Sequence, residues 1–471
     1  MNIIHVSAEC YPAAKAGGLA DVVGALPKYQ NMLGHKASVI MPFYYNKFRS
    51  VNTFNNIFTG FARIAEATFT FNVLVPEKIE LGYQLYMIDI PGLFDRENIY
   101  SYHDDTRRFI AFQVATLNWL SSWKNKIGIV HCHDQHTGFI PFMMKNVWEY
   151  KKFENVPTVF TIHNGEYQGQ FGFDKLDYLP PFHSYLTGLV EWNGDINPLA
   201  SAIKNAWRVT TVSPGYMEEI SHSMSGLEGL LRMEKSKCSG ILNGIDTEVW
   251  NPETDPMIDV HYNSDTVDQG KEKIKAMLCK QFNLDPEMPL FAFIGRLVKE
   301  KGADVLPDVV YRTLFNFPKK QNILILGSGD PDVENGLLNL EQQFAGNFSS
   351  FIGYNEKLSH EIYAGSDFLL MPSRVEPCGL NQLYALRYGT IPIVRRTGGL
   401  SDTVIDLGDD NGFGFCHVHC TTPDVMHSIQ RAKSLYSDKK LLTYIRSAVM
   451  NIDHSWNKAA DEYLQLYKSI I

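Results

Sequence analysis

Phe368–Met371 is a continuous apolar run that the chain leaves through a tight turn, Pro372 to Gly379, entering a segment whose Leu383 and Leu386 recur at helical spacing. An apolar run without alternation marks a strand covered on both faces, which is what a parallel sheet requires. A buried strand leading at once into a helix leaves few folds open, and the chain must build a parallel sheet with helices on its faces. The same plan recurs elsewhere. Residues 2–7 read as a strand, 9–18 as a Gly- and Pro-containing loop, 19–33 as an amphipathic helix stopped at Gly34, and 37–42 as a second strand. From about 51 to 90 the pattern alternates instead, predicting antiparallel strands inserted in the first domain. A helix at 106–123 and strands at 127–131, Thr158–Ile162 and 209–212 resume the plan. The turn-rich stretch from Asn243 to Pro256 marks a domain boundary. The second half then repeats the design with strands at 289–294, 322–326, 349–352, Phe368–Met371 and 391–394.

The expected domains are therefore 1–245 with its β-rich insertion, 246–455, and a final helix over 456–471. That helix places Trp456, Ala459, Tyr463, Tyr467 and Ile470 on one face behind Ser455, a candidate cap, so the face must be buried against a neighbour. Two nucleotide-fold domains would enclose a cleft between them, the natural place for a ligand. At 471 residues two domains are the expectation. A formal net charge of −9 argues against general nucleic-acid binding, where Lys and Arg must neutralise phosphates. No apolar run reaches the length of a membrane span, and the first 18 residues lack a basic leader pattern, so a cytoplasmic protein with no membrane partner is expected. Seven scattered cysteines read as reduced packing residues.

The turn after Phe368–Met371 lies at the carboxyl end of a sheet, where open α/β folds bind ligands, and a helix start there aims unpaired N–H groups at an anion. Glu376 suits sugar hydroxyls beside that anion, which points to a sugar nucleotide; a capped helix with a dipole-favouring acid is the plainer alternative. The first turn holds Lys15, Gly17 and Gly18, a cation and two glycines that admit close backbone approach, without the spacing of a Walker A or dinucleotide loop. The matching turn of the second half carries Arg296 and Lys301, which could clamp a diphosphate, whereas their neighbours Lys299 and Glu300 read as solvated loop. His131-Cys132-His133-Asp134-Gln135-His136 holds zinc-ligand types, but adjacent strand residues face opposite ways and the spacing is not that of a metal site. Cys416-His417-Val418-His419-Cys420 reads the same way, with both cysteines and Val418 on one side of a strand. Asp134 and His163 instead suit hydrogen bonds to sugar hydroxyls, or His163 is a buried structural histidine. One Glu among cations favours transfer from an activated donor over a two-carboxylate glycosidase.

Taken together these segments resemble the bacterial glycogen synthases and plant starch synthases over almost the whole chain. The resemblance rests on Lys15-Ala16-Gly17-Gly18-Leu19-Ala20-Asp21 with Gly24-Ala25-Leu26-Pro27, His133-Asp134, Phe160-Thr161-Ile162-His163-Asn164 with Tyr167-Gln168-Gly169, and Asn243-Gly244-Ile245-Asp246. It continues through Gly295-Arg296-Leu297 with Lys301-Gly302, Pro372-Ser373-Arg374 with Glu376-Pro377-Cys378-Gly379-Leu380, and Arg396 to Thr403. It implies a GT-B architecture, two Rossmann-like domains facing across a deep cleft with the last helix crossing back to the first. It further implies metal-free, cofactor-free retaining transfer of glucose from ADP-glucose to the non-reducing end of an α-1,4-glucan primer. By matching motif, Lys15, Arg296 and Lys301 hold the diphosphate, with Gly17, Gly18 and Asp21 beside them. Glu376 and the backbone at Cys378 and Gly379 hold glucose hydroxyls, with Asn243 on the substrate side. The N–H groups of Leu380 and Asn381 reach the distal phosphate, Tyr354 lies near the adenine, and His163 touches the glucosyl group. The catalytic set is Glu376, His163, Arg296 and Lys301. Ala16, Gln135, Gly165, Glu166 and Asn381 depart from the usual family residues. Two alternatives stay open: another retaining GT-B transferase making a small glycoside, and a catalytically silent glucan-binding homologue.

Overall fold

The computed structural model describes residues 1–471. The chain divides into two units, one formed by Met1–Leu242 with Trp456–Ile471 and the other by Asn243–Ser455. No helix is long and apolar enough to cross a membrane.

The first unit is built on one nine-stranded sheet. Its strands are β1 (Asn2–Val6), β2 (Lys36–Pro42), β3 (Phe54–Ile64), β4 (Ala67–Pro76), β5 (Gln84–Asp89), β6 (Ile129–His133) and β7 (Thr158–Ile162). A separate two-residue ribbon, β8 (Glu191–Trp192) and β9 (Asp195–Ile196), precedes β10 (Arg208–Thr211) and β11 (Cys238–Gly240). The order is β11-β10-β7-β6-β1-β2-β5-β4-β3. Strand β1 pairs in parallel with both β2 and β6, so the chain reverses its direction of growth there. The alternation read at 51–90 comprises three strands of different kinds. The β3–β4 hairpin is antiparallel as expected, but β5 runs parallel to β2 and antiparallel to β4, which makes it a strand of the core sheet. The reason is packing: Leu85, Met87 and Ile88 are all buried with Tyr86 half-buried between them, while Gln84 and Asp89 at the two ends give the segment its look of alternation.

The second unit adds β12 (Leu290–Ile294), β13 (Asn322–Gly327), β14 (Phe348–Ile352), β15 (Phe368–Met371), β16 (Ile391–Arg395) and β17 (Phe415–His417). All pairings are parallel, and the order β14-β13-β12-β15-β16-β17 is the 3-2-1-4-5-6 arrangement of a Rossmann sheet. Each central strand is buried on both faces, dividing the hydrophobic core in two: Phe291, Ile323 and Phe368 belong to one layer, Ala292, Leu324 and Leu369 to the other. Strand β17 stops at His417, so Val418 is exposed while Cys416 is buried; the expectation that Val418 shares a face with both cysteines fails because the strand has ended. All seven cysteines are free thiols.

The helix Trp456–Lys468 packs in the first unit. Trp456, Ala459, Tyr463, Tyr467 and Ile470 enter one apolar cluster with Val22, Leu26 and Tyr29 of the helix Gly18–Met32 and with Ile3, Ile129 and Val159 of the sheet. The last 16 residues thus complete the core of the domain the chain began with.

Candidate active site

In each unit the switch of strand order opens a crevice at the carboxyl ends of two neighbouring strands. In the second unit these are β12 and β15. The turn after β12 carries Arg296 and Lys301, and the turn after β15 carries Glu376. Lys301 Nζ lies 2.8 Å from Glu376 Oε1, and Glu376 Oε2 accepts a hydrogen bond from Ser373 Oγ at 3.0 Å. The carboxylate is largely buried, while Arg296 reaches into solvent with its guanidinium 3.5 Å from Glu300 Oε2. Glu300 is more than the solvated neighbour its position in the loop suggested. Its carboxylate also faces Lys301 at 3.6 Å, and its carbonyl accepts from the N–H groups of Arg374 and Val375, fastening one turn to the other.

Close backbone packing explains two glycines here. Gly302 has φ +70° and a Cβ would stand 2.4 Å from the Pro372 carbonyl; at Gly398, with φ +42°, a Cβ would stand 2.2 Å from that of Glu376. The Gly399 N–H also donates to the Glu376 carbonyl, so the start of the next helix props the Glu376 turn from behind. Gly379 itself has φ +73° and leads through Leu380 into the helix Asn381–Arg387, whose first turn no side chain caps. Those N–H groups point where an anion is favoured. The Asn381 side chain donates to the Ile294 carbonyl at the end of β12, which gives this departure from the family pattern a structural use. Burial pushes the Cys378 thiol up to about 12, against a smaller opposing effect from the Asn243 backbone, so it is a neutral packing group. Asn243 is buried beside it, and its Oδ1 is an acceptor with no hydrogen-bond donor. Such an atom is costly unless a ligand hydroxyl satisfies it. Tyr354, in the turn after β14, is 84% exposed.

The first unit offers a different chemistry at the ends of β1, β6 and β7. Lys15 Nζ pairs with Asp21 Oδ1 at 2.7 Å, both partly exposed. Glu9, which carried no role in the sequence reading, organises the turn: its Oε2 accepts from the N–H groups of Ala16 and Gly17 at 2.5 and 2.9 Å, and its Oε1 from Tyr100 Oη at 2.7 Å. The glycine turn therefore spends two of its N–H groups on an internal carboxylate. A Cβ on Gly17 or Gly18 would meet nothing within 4 Å, so these residues leave open space on the outer side of the turn. Glu9 left no signal of its own, since an acid at the start of the loop 9–18 reads as solvated until its partners are in place.

Asp134 sits at φ +54°, and its Oδ1 accepts from the His163 N–H at 2.7 Å. Burial holds the carboxyl above the usual range, opposed by the backbone N–H groups of His163 and Asn164. It braces the two turns that present His163. Gln135 Oε1 lies where a Cβ on Gly169 would fall, at 2.1 Å, so the smaller side chain at 135 and the glycine at 169 fit together. His163 is buried and neutral, its pKa lowered to about 3 by desolvation, and its Nε2 meets His133 Nδ1 at 3.0 Å. His133 meets His5, and His131 stacks on His133 and lies tilted against His5. His5, His131 and His133 lie close enough to hold a metal ion. Their six nitrogens are already engaged, with Gln30, Tyr467, Thr161, His163 and one another. A spacing argument confined to adjacent residues missed this cluster, because His131 and His133 share a face two residues apart and meet His5 across the sheet.

Comparison with known proteins agrees with this geometry. Residues 2–233 match the family described as starch synthase catalytic domain, and residues 277–450 match glycosyl transferases group 1. The chain is 52% identical to the glycogen synthase of Flavobacterium johnsoniae, covering 100% of this chain and 99% of that protein. It is 38% identical to a glycogen synthase of Bacillus cereus, with both chains covered in full. Among solved structures, the catalytic domain of starch synthase IV from Arabidopsis thaliana bound to ADP and acarbose aligns with TM-score 0.89 at 33% identity, covering 100% of this chain and 99% of that one. A sucrose-phosphate synthase from Thermosynechococcus elongatus aligns at TM-score 0.62 and 17% identity over 100% of this chain and 98% of that one, a likeness of fold alone. Two Rossmann-like sheets, a cation–carboxylate pair at the second switch point and full-length identity of this size mean that the chain belongs to the glycogen synthase and starch synthase family of GT-B glycosyltransferases.

Proposed function

We propose that this chain is a cytoplasmic α-1,4-glucan synthase that transfers glucose from ADP-glucose to the non-reducing end of a glucan primer, with retention of configuration and release of ADP. The observation that carries the reading is the Lys301–Glu376 pair, set at the strand switch beside an uncapped helix start. As the bond between the glucose C1 and the diphosphate oxygen breaks, negative charge grows on the leaving group. Lys301 and Arg296 supply the compensating charge and the N–H groups of Leu380 and Asn381 supply dipoles, which is where preorganised electrostatics act. The reaction then needs no metal ion. Glu376 keeps lone pairs free on a carboxylate oriented from two sides by Lys301 and Ser373, so it serves sugar hydroxyls and positions the ring. Cys378, Gly379 and Asn243 extend that sugar contact, the last through its orphan Oδ1. Tyr354 offers a ring for the adenine to stack on.

In the first unit, Lys15, Gly17, Gly18 and Asp21 are assigned to the donor's phosphate side, and Asp134 and His163 to the glucosyl side. The acceptor hydroxyl attacks C1 on the face the diphosphate leaves, and its proton passes to the departing phosphate oxygen. No protein nucleophile is required.

The test is nucleoside diphosphate release with glycogen as primer, comparing ADP-glucose with UDP-glucose while following polymer length. Release of ADP matched by glucose added to the polymer is expected. Release with only a small glycoside formed would transfer the chain to the other retaining transferases, and glucan binding without release would make it a silent binder.

A further inference from the structure

Beneath the glucosyl site runs a chain of buried side chains with a defined polarity. Gln30 Oε1 meets His5 Nε2 at 2.9 Å, His5 Nδ1 meets His133 Nε2 at 3.0 Å, and His133 Nδ1 meets His163 Nε2 at 3.0 Å. The other end of the same amide, Gln30 Nε2, donates to Tyr467 Oη at 3.3 Å. That hydroxyl lies 2.6 Å from His131 Nδ1, and His131 Nε2 lies 2.6 Å from Thr161 Oγ1. Gln30, His5, His131 and His133 are fully buried.

A neutral imidazole has one donor and one acceptor nitrogen, so one fixed end orders a whole row of them. An amide oxygen only accepts. His5 must therefore donate from Nε2 and accept at Nδ1, His133 must donate from Nε2 and accept at Nδ1, and His163 must donate from Nε2. The one remaining nitrogen, His163 Nδ1, is left as an acceptor. The row stays neutral because desolvation lowers all three imidazoles, His5 to about 4 and His163 to about 3. Turning the Gln30 amide over would reverse every bond and leave His163 Nδ1 a donor. The Tyr467 contact is satisfied in the orientation the structure shows: the phenol oxygen takes the amide's N–H and donates to His131. A metal on the same histidines would take one nitrogen from each and so break the row wherever that nitrogen now carries a bond.

We propose that Gln30 is a positioning residue for glucosyl transfer: through His5 and His133 it selects the Nε2–H tautomer of His163 and so presents Nδ1 to the donor sugar as a hydrogen-bond acceptor for a hydroxyl. The proposal rests on the reading of His163 as a glucosyl contact. It also gives the final helix a part in the site, because Tyr467 pairs with the other end of the Gln30 amide.

The test begins with the unaltered full-length protein, its histidines labelled with the heavy nitrogen isotope, in long-range proton–nitrogen correlation spectra at neutral pH; His163 is assigned from the spectrum of His163→Asn. Nε2–H tautomers at His5, His133 and His163 are expected, and an Nδ1–H tautomer at His163 overturns the proposal without any need for a Gln30 variant. In Gln30→Met the acceptor is lost at constant size, so the tautomers should mix and kcat/KM for ADP-glucose should fall about ten-fold, the worth of one buried hydrogen bond, with ADP affinity unchanged. The double variant with His163→Asn should be no slower than His163→Asn alone, since the two act through one contact. Additive losses, or an unaffected Gln30→Met beside a slow His163→Asn, overturn the relay and leave His163 in place. A fully active His163→Asn removes His163 from the glucosyl site, and the relay with it.

Discussion

The two units solve the burial of polar groups beneath their sheets in opposite ways. In the first, the groups at the centre are imidazoles, with His5, His131, His133 and His163 all desolvated to well below their ordinary pKa. In the second, they are ions: Asp367 at the start of β15 accepts from Lys275 Nζ at 2.7 Å, from Arg446 and from the Leu290 N–H. Arg446 continues to Asp268 at 2.8 Å. A neutral row can pass a hydrogen-bond direction along its length, whereas an ionic cluster fixes its members by charge. The first arrangement suits a residue that must choose which nitrogen it presents, the second a scaffold that must hold loops bearing Lys301 and Glu376.

Acid should separate the two most strongly. Each of the four histidines is neutral when folded but takes up a proton in the unfolded chain once the pH drops below about 6.5. Their contribution is therefore present above that value and lost as the pH falls below it, by about 2 kcal/mol for a single such histidine between pH 7 and 5. Asp367 behaves differently. Burial raises its pKa, but Lys275 and Arg446 outweigh this and hold it below the usual range, so its stabilisation persists until the pH falls under about 4. Hydrogen exchange at pH 5 should show amides of β1, β6 and β7 opening well before those of β12, β13 and β15. Equal loss of protection in both units would contradict the contrast.

Removing charges at the sites should give the next largest effect, and an unequal one. Lys301→Ala strips a half-buried cation from its carboxylate and is expected to lower kcat by about 10³-fold with an unchanged circular dichroism spectrum. Lys15→Ala removes a solvated cation already shared with Asp21 and should cost closer to ten-fold, mostly in the KM for the donor. Similar losses for the two would mean that the exposed turn carries as much of the transition-state charge as the buried one.

For the ionic cluster itself, Asp367→Asn leaves Lys275 and Arg446 buried without their shared counter-charge. Roughly 3 kcal/mol should be lost from the denaturant unfolding free energy of the second unit. A variant as stable as the parent would show that the cations find other acceptors.

What the amino acids disclosed about this contrast was uneven, for physical reasons. Continuous apolar runs such as Phe368–Met371 name buried parallel strands directly, and the stripe from Trp456 to Ile470 names its own buried face. The charged turn residues were legible as ions standing directly after buried strands, and the structure pairs Lys301 with Glu376 at 2.8 Å. Strand order was not, since the 3-2-1-4-5-6 arrangement is set by crossovers that leave no local pattern. Neither were Glu9 and Gln30. A single polar residue inside an apolar stretch reads as noise until its partners, Gly17 and Tyr100 for one and His5 and Tyr467 for the other, arrive from elsewhere in the chain.

The smallest effect should come from the single atom that joins the final helix to the neutral row. Tyr467→Phe keeps the ring in its apolar cluster and deletes only the hydroxyl between Gln30 Nε2 and His131 Nδ1. Two buried partners lose a hydrogen bond, but the sheet and the helix keep their packing, so about 1–2 kcal/mol of stability should go. Loss of the amide's second anchor should also let Gln30 turn over, admitting some of the opposite tautomer at His163. In the ionic unit no comparable deletion has such a reach, because a charge pair carries no donor–acceptor direction to reverse. Thermal unfolding and the histidine nitrogen spectrum, taken on the same sample, separate the two consequences: a lower melting temperature with tautomers intact would confine Tyr467 to packing and the local bond, and leave Gln30 held by His5 alone.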